Sequence, residues 1–185
     1  MHLKKTFKLT NKQVNNYFNF IKTVNYLNIN KYKNLNLFYK ALNFLQLVIQ
    51  QNGKVLFILP THRKYNVVNK YFSLVLKKYQ HYYLIPNIKN QTKPGFLTNY
   101  IFSKNKNFIK KKPDLIFIIN SSKNNNIFYN NLLKECALLN IPIINIIDHY
   151  DTNTHITYPI ISKIFFKNII FFYFLISTIL NIKKN

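Results

Sequence analysis

From Leu35 to Gln51, apolar residues return every three or four positions, at Leu35, Phe38, Leu42, Leu45 and Ile49, and Gly53 stands where such a helix would end. The spacing predicts an amphipathic helix over 35–51. The period then changes. Val55 to Leu59 is an unbroken apolar run, the pattern of a strand buried on both faces of a parallel sheet. Pro60 and Thr61 break it, and Val67, Val68, Tyr71, Phe72, Val75 and Leu76 recur at helical spacing. A short strand is expected from Tyr82 to Ile85, closed by Pro86. A polar passage over 87–100 and a basic stretch from Lys104 to Lys112 follow. Pro113-Asp114 introduces an apolar strand, Leu115 to Ile119. Asn124 to Asn126 can cap a helix over Ile127–Leu139, and two further strands are expected at Ile141–Ile147 and Ile156–Ile161. Buried strands alternating with helices imply an α/β fold: a three-layer α/β/α domain, Rossmann- or flavodoxin-like, with a mainly parallel sheet. Phe57, Ile118 and Ile144 are the residues expected on its central strands.

The two ends of the chain read differently. Residues 1–33 are rich in Lys and Asn with only broken periodicity, and are expected to form a basic extension that orders on a partner; residues 34–185 are read as one domain. The last segment, Ile164 to Ile182, is strongly apolar. Its core, Ile169 to Leu180, falls short of the roughly 20 residues a bilayer requires, and Lys167 and Asn168 interrupt it. The expectation is a closing helix packed on the sheet, with Ser162 available as its cap, and no transmembrane segment.

Composition adds an anion. The 185 residues include 27 Lys plus Arg against 4 Asp plus Glu, a formal charge of +23, while 48% of residues are hydrophobic. Such a chain can build a core, but its charge calls for a polyanionic partner, nucleic acid or an acidic membrane face. Asp114, Glu135, Asp148 and Asp151 are the only carboxylates, too few for paired-carboxylate or oxygen-ligated metal chemistry. Arg63 is the single arginine and glycine occurs only at 53 and 95, whereas Asn, Lys, Ile, Tyr and Phe abound. These preferences follow A/T-rich codons and suggest an organellar gene, whose product would need no import signal. The start, Met1-His2-Leu3-Lys4-Lys5, has no apolar run of a secretory signal and no arginine of a transit peptide.

Candidate chemistry is sparse. No Gly-x-Gly or Gly-Lys-Ser pattern follows the first strand, so a nucleotide enzyme lacks its phosphate cradle, and no cofactor or small-molecule substrate is expected. Thr61, His62, Arg63 and Lys64 could hold an RNA phosphate at a helix start; equally, Thr61 could cap the helix while the charges are solvated. His149, Asp151 and His155 have ligand-type side chains but no regular zinc spacing. Cys136, among Leu132, Leu133, Leu138 and Leu139, reads as a buried thiol, and as the sole cysteine it excludes an intramolecular disulfide. No catalytic or metal residue is assigned. The lysine candidates for RNA are Lys4, Lys5 and Lys8 in the extension, then Lys93, Lys104, Lys106, Lys110, Lys111, Lys112 and Lys123.

Three segments carry a resemblance. Lys112-Pro-Asp-Leu-Ile-Phe-Ile-Ile-Asn120, a helix from about Asn126, and Leu138-Leu-Asn-Ile-Pro-Ile-Ile-Asn-Ile-Ile-Asp148 resemble the heart of the bacterial-type small-subunit ribosomal protein S-two family. Upstream, Lys93-Pro-Gly-Phe-Leu-Thr-Asn99 is similar to that family's Leu-Thr-Asn signature. The family pattern has Leu-Gly-Ile-Pro where this chain has Leu139-Asn140-Ile141-Pro142. The resemblance spans roughly 35–180. It implies a non-catalytic protein of an organellar small ribosomal subunit, mitochondrial with plastid as the alternative, whose partners are small-subunit ribosomal RNA and neighbouring small-subunit proteins. It implies a place on the solvent side near the junction of head and body. The relict α/β enzyme and the basic membrane-peripheral protein are the alternatives. There are departures. Only Tyr100 to Lys112 stand where the family has a long helical hairpin, too short for two packed helices. The glycine after the first strand is missing at Leu59-Pro60-Thr61, the strand closure reads Asp148-His149-Tyr150, and the Pro-Gly-Asn-Asp before the last helix is absent at Pro159-Ile160-Ile161-Ser162.

Overall fold

The computed structural model describes residues 31–86, 95–98, 111–119, 126–147, 155–162 and 166–181. Two compact units divide the chain, residues 1–35 and 36–185; of the first, only the opening turn of a helix at 31–35 is described. The elements are α1 (Lys31–Gln50), β1 (Val55–Ile58), a 3-10 turn (Arg63–Tyr65), α2 (Asn66–Lys78), β2 (Tyr82–Leu84), β3 (Leu115–Ile118), α3 (Asn126–Leu138), β4 (Ile143–Ile147), β5 (Tyr158–Ile161) and α4 (Phe166–Asn181). α1 starts at Lys31, so its first three residues fall in the stretch read from sequence as extension.

The five strands form one all-parallel sheet in the order β2-β1-β3-β4-β5, the flavodoxin-like variant of the doubly wound fold. β1 leads outward through α2 to β2, and β3 leads the other way through α3 to β4. The strand order therefore reverses between β1 and β3. Strand side chains alternate between faces, and the two faces receive different cover. Leu56, Ile58, Ile116, Ile118 and Ile143 pack with Phe128, Leu132, Leu133 and Cys136 of α3 and with Leu97. On the other face Phe57 stacks on Phe117 with centroids 5.7 Å apart and meets Phe72 of α2 edge-on at 5.8 Å. Tyr173 of α4 stacks on Phe72 at 4.1 Å, Phe172 of α4 meets Phe38 of α1 at 6.3 Å, and Phe44 of α1 stacks on Tyr158 of β5 at 5.0 Å. Three layers result, as the apolar runs require. Phe57, Ile118 and Ile144 are fully buried on β1, β3 and β4.

Each helix that feeds a strand ends in the same way, and the reason is backbone geometry. After α1, α2 and α3 the chain passes through Asn52, Gln80 and Asn140, all left-handed, with φ of 61°, 58° and 52°. The next N–H then closes a six-to-one bond back onto the helix: Gly53 to Val48 O at 2.8 Å, His81 to Leu76 O at 2.9 Å, and Ile141 to Cys136 O at 2.9 Å. These are Schellman ends, a position usually given to glycine and next most readily to asparagine. Gly53 thus ends α1 from one position beyond the left-handed residue. It must be glycine because a Cβ there would lie 2.6 Å from Val48 Cγ1 and 2.8 Å from Val48 O.

Two N-terminal expectations are corrected. Ser162 is buried four residues before α4; its N–H bonds to Ile147 O and its hydroxyl accepts from Asn168, so it ties the end of β5 to β4 and to the helix without occupying the cap position. Thr61 is not the cap of the helix after β1, as the next subsection details. The closing helix α4 buries Ile169, Phe172, Ile176 and Leu180 against the domain, and no helix among the described residues is long and apolar enough to cross a membrane.

Candidate nucleic-acid interface

In open parallel sheets, ligands gather beyond the carboxyl ends of the strands where the strand order reverses. Here that place is occupied by the segment that follows β1, Leu59 to Tyr65. The segment is held from beneath. Leu59 N–H bonds to Leu84 O at 2.8 Å, and buried Asn69 of α2 donates to Pro60 O at 2.7 Å while accepting from the Tyr173 hydroxyl at 2.5 Å. Burial, and after it Tyr65, pushes the Tyr173 phenol above its ordinary range, so it stays a donor. His62 caps the 3-10 turn: its Nδ1 accepts from Lys64 N–H at 3.3 Å. A histidine takes the capping role that was one of the two readings of Thr61, because His62 is the residue directly before the turn. His62, Arg63 and Lys64 are exposed, with the Lys64 ammonium 4.9 Å from the centre of the buried Tyr65 ring. The turn therefore presents the Arg63 and Lys64 side chains to solvent, the Lys64 ammonium over the Tyr65 ring.

The other described candidates lie at the opposite end of the sheet. Lys111 and Lys112 precede β3 and are exposed. The Lys112 ammonium donates to Leu139 O at 2.7 Å, and Lys111 N–H bonds to the Tyr82 hydroxyl at 3.1 Å. Lys54 acts similarly, its ammonium 3.0 Å from Gln80 O. Lysines at this end meet the free carbonyls of helix C-termini, a use of positive charge that needs no phosphate. A strand of four residues is about 13 Å long, so Arg63 and Lys64 cannot share one phosphate with Lys111 and Lys112. Lys4, Lys5, Lys8, Lys93, Lys104, Lys106, Lys110 and Lys123 lie outside the described residues, as does most of the basic connector 100–112.

The two described carboxylates serve the backbone. Asp114 Oδ2 accepts from Lys54 N–H at 2.7 Å while Asp114 N–H bonds to Lys54 O at 2.8 Å, which locks the start of β3 to the turn before β1. Glu135 is buried on α3 and accepts four backbone bonds from a single turn. Gly95 and Phe96 reach Oε1 at 2.7 and 3.1 Å; Leu97 and Thr98 reach Oε2 at 2.5 and 3.3 Å. Gly95 has φ 93°, open to glycine and costly to other residues. Sequence reasoning missed both roles. The available signals were Glu135 as the only acid on α3 and Asp114 fixed between Pro113 and an apolar strand. Cys136 is buried beside Glu135, and desolvation first, then the Glu135 charge, pushes its thiol up to about 12. A thiol so poorly ionised is no nucleophile. His149 and Asp151 lie outside the described residues; among those described, no group of His, Cys, Asp and Glu could hold a metal ion.

A parallel α/β scaffold emerges whose described carboxylates bind its own backbone and whose turn after β1 leaves Arg63 and Lys64 exposed at the carboxyl end of the sheet. Residues 88–163, the stretch holding the Glu135-bound turn, β3, α3, β4 and β5, match the family model of ribosomal protein S2. The match makes this stretch, under half of the chain, similar to the S2 family of ribosomal proteins. A sequence comparison with curated proteins finds no match.

Proposed function

We propose that this chain is a structural constituent of the small subunit of a mitochondrial ribosome, where it binds small-subunit ribosomal RNA and neighbouring ribosomal proteins without catalysing a reaction. The observation that carries the reading is the family match over 88–163, on a segment that supplies β3, α3, β4 and β5 of the parallel α/β sheet. Charge supports the RNA partner independently: 27 basic residues against 4 acidic ones require a polyanion. Codon-driven composition supports an organellar gene. Lysine, nearly the only basic residue, supplies point charge without bidentate base reading, so binding is expected to run through phosphates. Arg63 and Lys64 are the described contacts proposed for RNA, with the lysines at 4, 5, 8, 93, 104, 106, 110 and 123 as further candidates. Lys112 contributes less, since its ammonium already has a carbonyl.

The decisive experiment is sedimentation of the tagged full chain from fractionated organelles. It should travel with the small ribosomal subunit in mitochondria; migration with free protein or with membranes would overturn the reading, and plastid subunits would change the organelle. For the purified chain on single-stranded RNA, neutralising about six phosphates gives a log–log salt slope of about −4. A flat response would remove the phosphate mechanism.

A further inference from the structure

We infer that the outer face of the α2–α4 pair is a docking site for a protein segment that presents apolar residues flanked by Asp and Glu. Val67, Tyr71 and Leu74 follow one another at i, i+4 and i+7 along α2 and are 67%, 69% and 56% exposed. They stand on the side opposite Asn69, Phe72 and Leu76, which are buried. On α4, Ile170 and Phe174 are 41% and 67% exposed in the same way. The two helices run side by side in parallel: Phe72 and Asn69 meet Tyr173, and near the C-terminal ends the Tyr79 hydroxyl donates to Asn181 Oδ1. The ties place Tyr71 and Phe174 at about the same level, so the two apolar ridges stand next to each other. Apolar residues at i, i+4 and i+7 are the pattern by which helices bind protein grooves and other helices, and contiguous exposed apolar surface marks such sites.

Charge selects the occupant. Lys70 and Lys77 border the ridge of α2 on the side away from α4, Lys78 closes its end, and α2 contains no acid. The chain's own residues 1–30 carry Lys4, Lys5, Lys8, Lys12 and Lys22 and no Asp or Glu, so charge complementarity does not select them as the occupant. A second copy brings +23 and is not selected either. RNA would satisfy the lysines and leave the apolar ridges in water. A protein segment with an apolar centre and an acidic rim satisfies both.

The test uses the full chain expressed in its own cells with the photoreactive residue p-benzoylphenylalanine at Leu74, a position whose exposure spares the fold; Val67 serves as the alternative position, and exposed Asn130 on α3 as the control. Irradiation followed by mass spectrometry should identify one peptide of another protein, apolar residues flanked by Asp or Glu, attached at position 74 and absent at 130. Reversing the border with Lys70→Glu and Lys77→Glu should lower the yield about tenfold, since like charges placed opposite one another at an interface are strongly disfavoured. Attachment to RNA, to residues 1–30, to a second copy, or to nothing overturns the inference, as does a yield that ignores the charge reversal. Sedimentation with the small subunit is read separately, so either proposal can fail without the other.

Discussion

One described helix, α3, covers the face of the sheet that carries Leu56, Ile58, Ile116 and Ile118, whereas α1, α2 and α4 crowd the face that carries Phe57 and Phe117. The crowded face closes with rings: Phe57, Phe117, Phe72 and Tyr173 form a continuous chain of ring contacts, stacked between Phe57 and Phe117 and between Phe72 and Tyr173, edge-on between Phe57 and Phe72. On the α3 face, the turn at 95–98 seats Leu97 in the core and must bury backbone N–H groups with it. Glu135 answers that demand with one carboxylate for four donors. The difference teaches that, in a chain nearly devoid of acids, the described carboxylates are spent where backbone would otherwise be left unpaired, and aromatic volume suffices elsewhere.

The largest expected effect strikes the aromatic face. Phe57→Ala should cost about 3–5 kcal/mol and Ile144→Ala on the same face, like Ile118→Ala on the α3 face, roughly 2–5 kcal/mol, read as a lowered midpoint in urea unfolding. A loss under about 1 kcal/mol at Phe57 would mean the stack relaxes freely and the two faces do not differ in this way.

On the α3 face, Glu135→Ala leaves four N–H groups without their acceptor and should cost roughly 3 kcal/mol, with Glu135→Gln losing about half of that because the amide keeps one acceptor oxygen. Hydrogen exchange at Gly95 to Thr98 should accelerate in both variants before global stability is lost. Unchanged exchange there would separate the turn from the carboxylate and remove the contrast.

Helix ends come next in size. Gly53→Ala should destabilise by about 1–3 kcal/mol, since the added methyl meets Val48 backbone as well as its side chain. Asn140→Gly should raise stability by a few tenths of a kcal/mol, because glycine relieves the left-handed position, and Asn140→Ala should lower it by about 1 kcal/mol. Calorimetric midpoints check the signs.

The smallest effect near neutrality is at Cys136. Its ordinary value of 9.0 applies in the unfolded chain and about 12 in the folded one, so the folded state favours the neutral thiol. The stabilisation is complete below pH 9 and is withdrawn as the pH rises from there through about 12. At pH 8 iodoacetamide should therefore label Cys136 only on unfolding; rapid labelling of the native chain would show the α3 face to be open.

Much of this protein is legible along the chain. Apolar runs at 55–59, 115–119 and 141–147 can bury both sides only inside a covered parallel sheet, and the helical spacings between them supply the covering, so layers and central residues follow from local pattern. The +23 charge is legible in the same way, because charge sums without regard to fold, and it is the ground on which an anionic partner is proposed. Position, in contrast, was decided by tertiary structure. Spacing could not reveal that Glu135 reaches a turn some forty residues earlier, that Asp114 grips Lys54, or that His62 rather than Thr61 caps the turn after β1. Nor could it separate Arg63 and Lys64 from Lys111 and Lys112, which the parallel strands carry to opposite ends of the sheet. Hydrogen bonds between residues far apart in sequence depend on where the sheet order brings each loop, and that order is set by packing the whole chain at once, not by the pattern within any one segment.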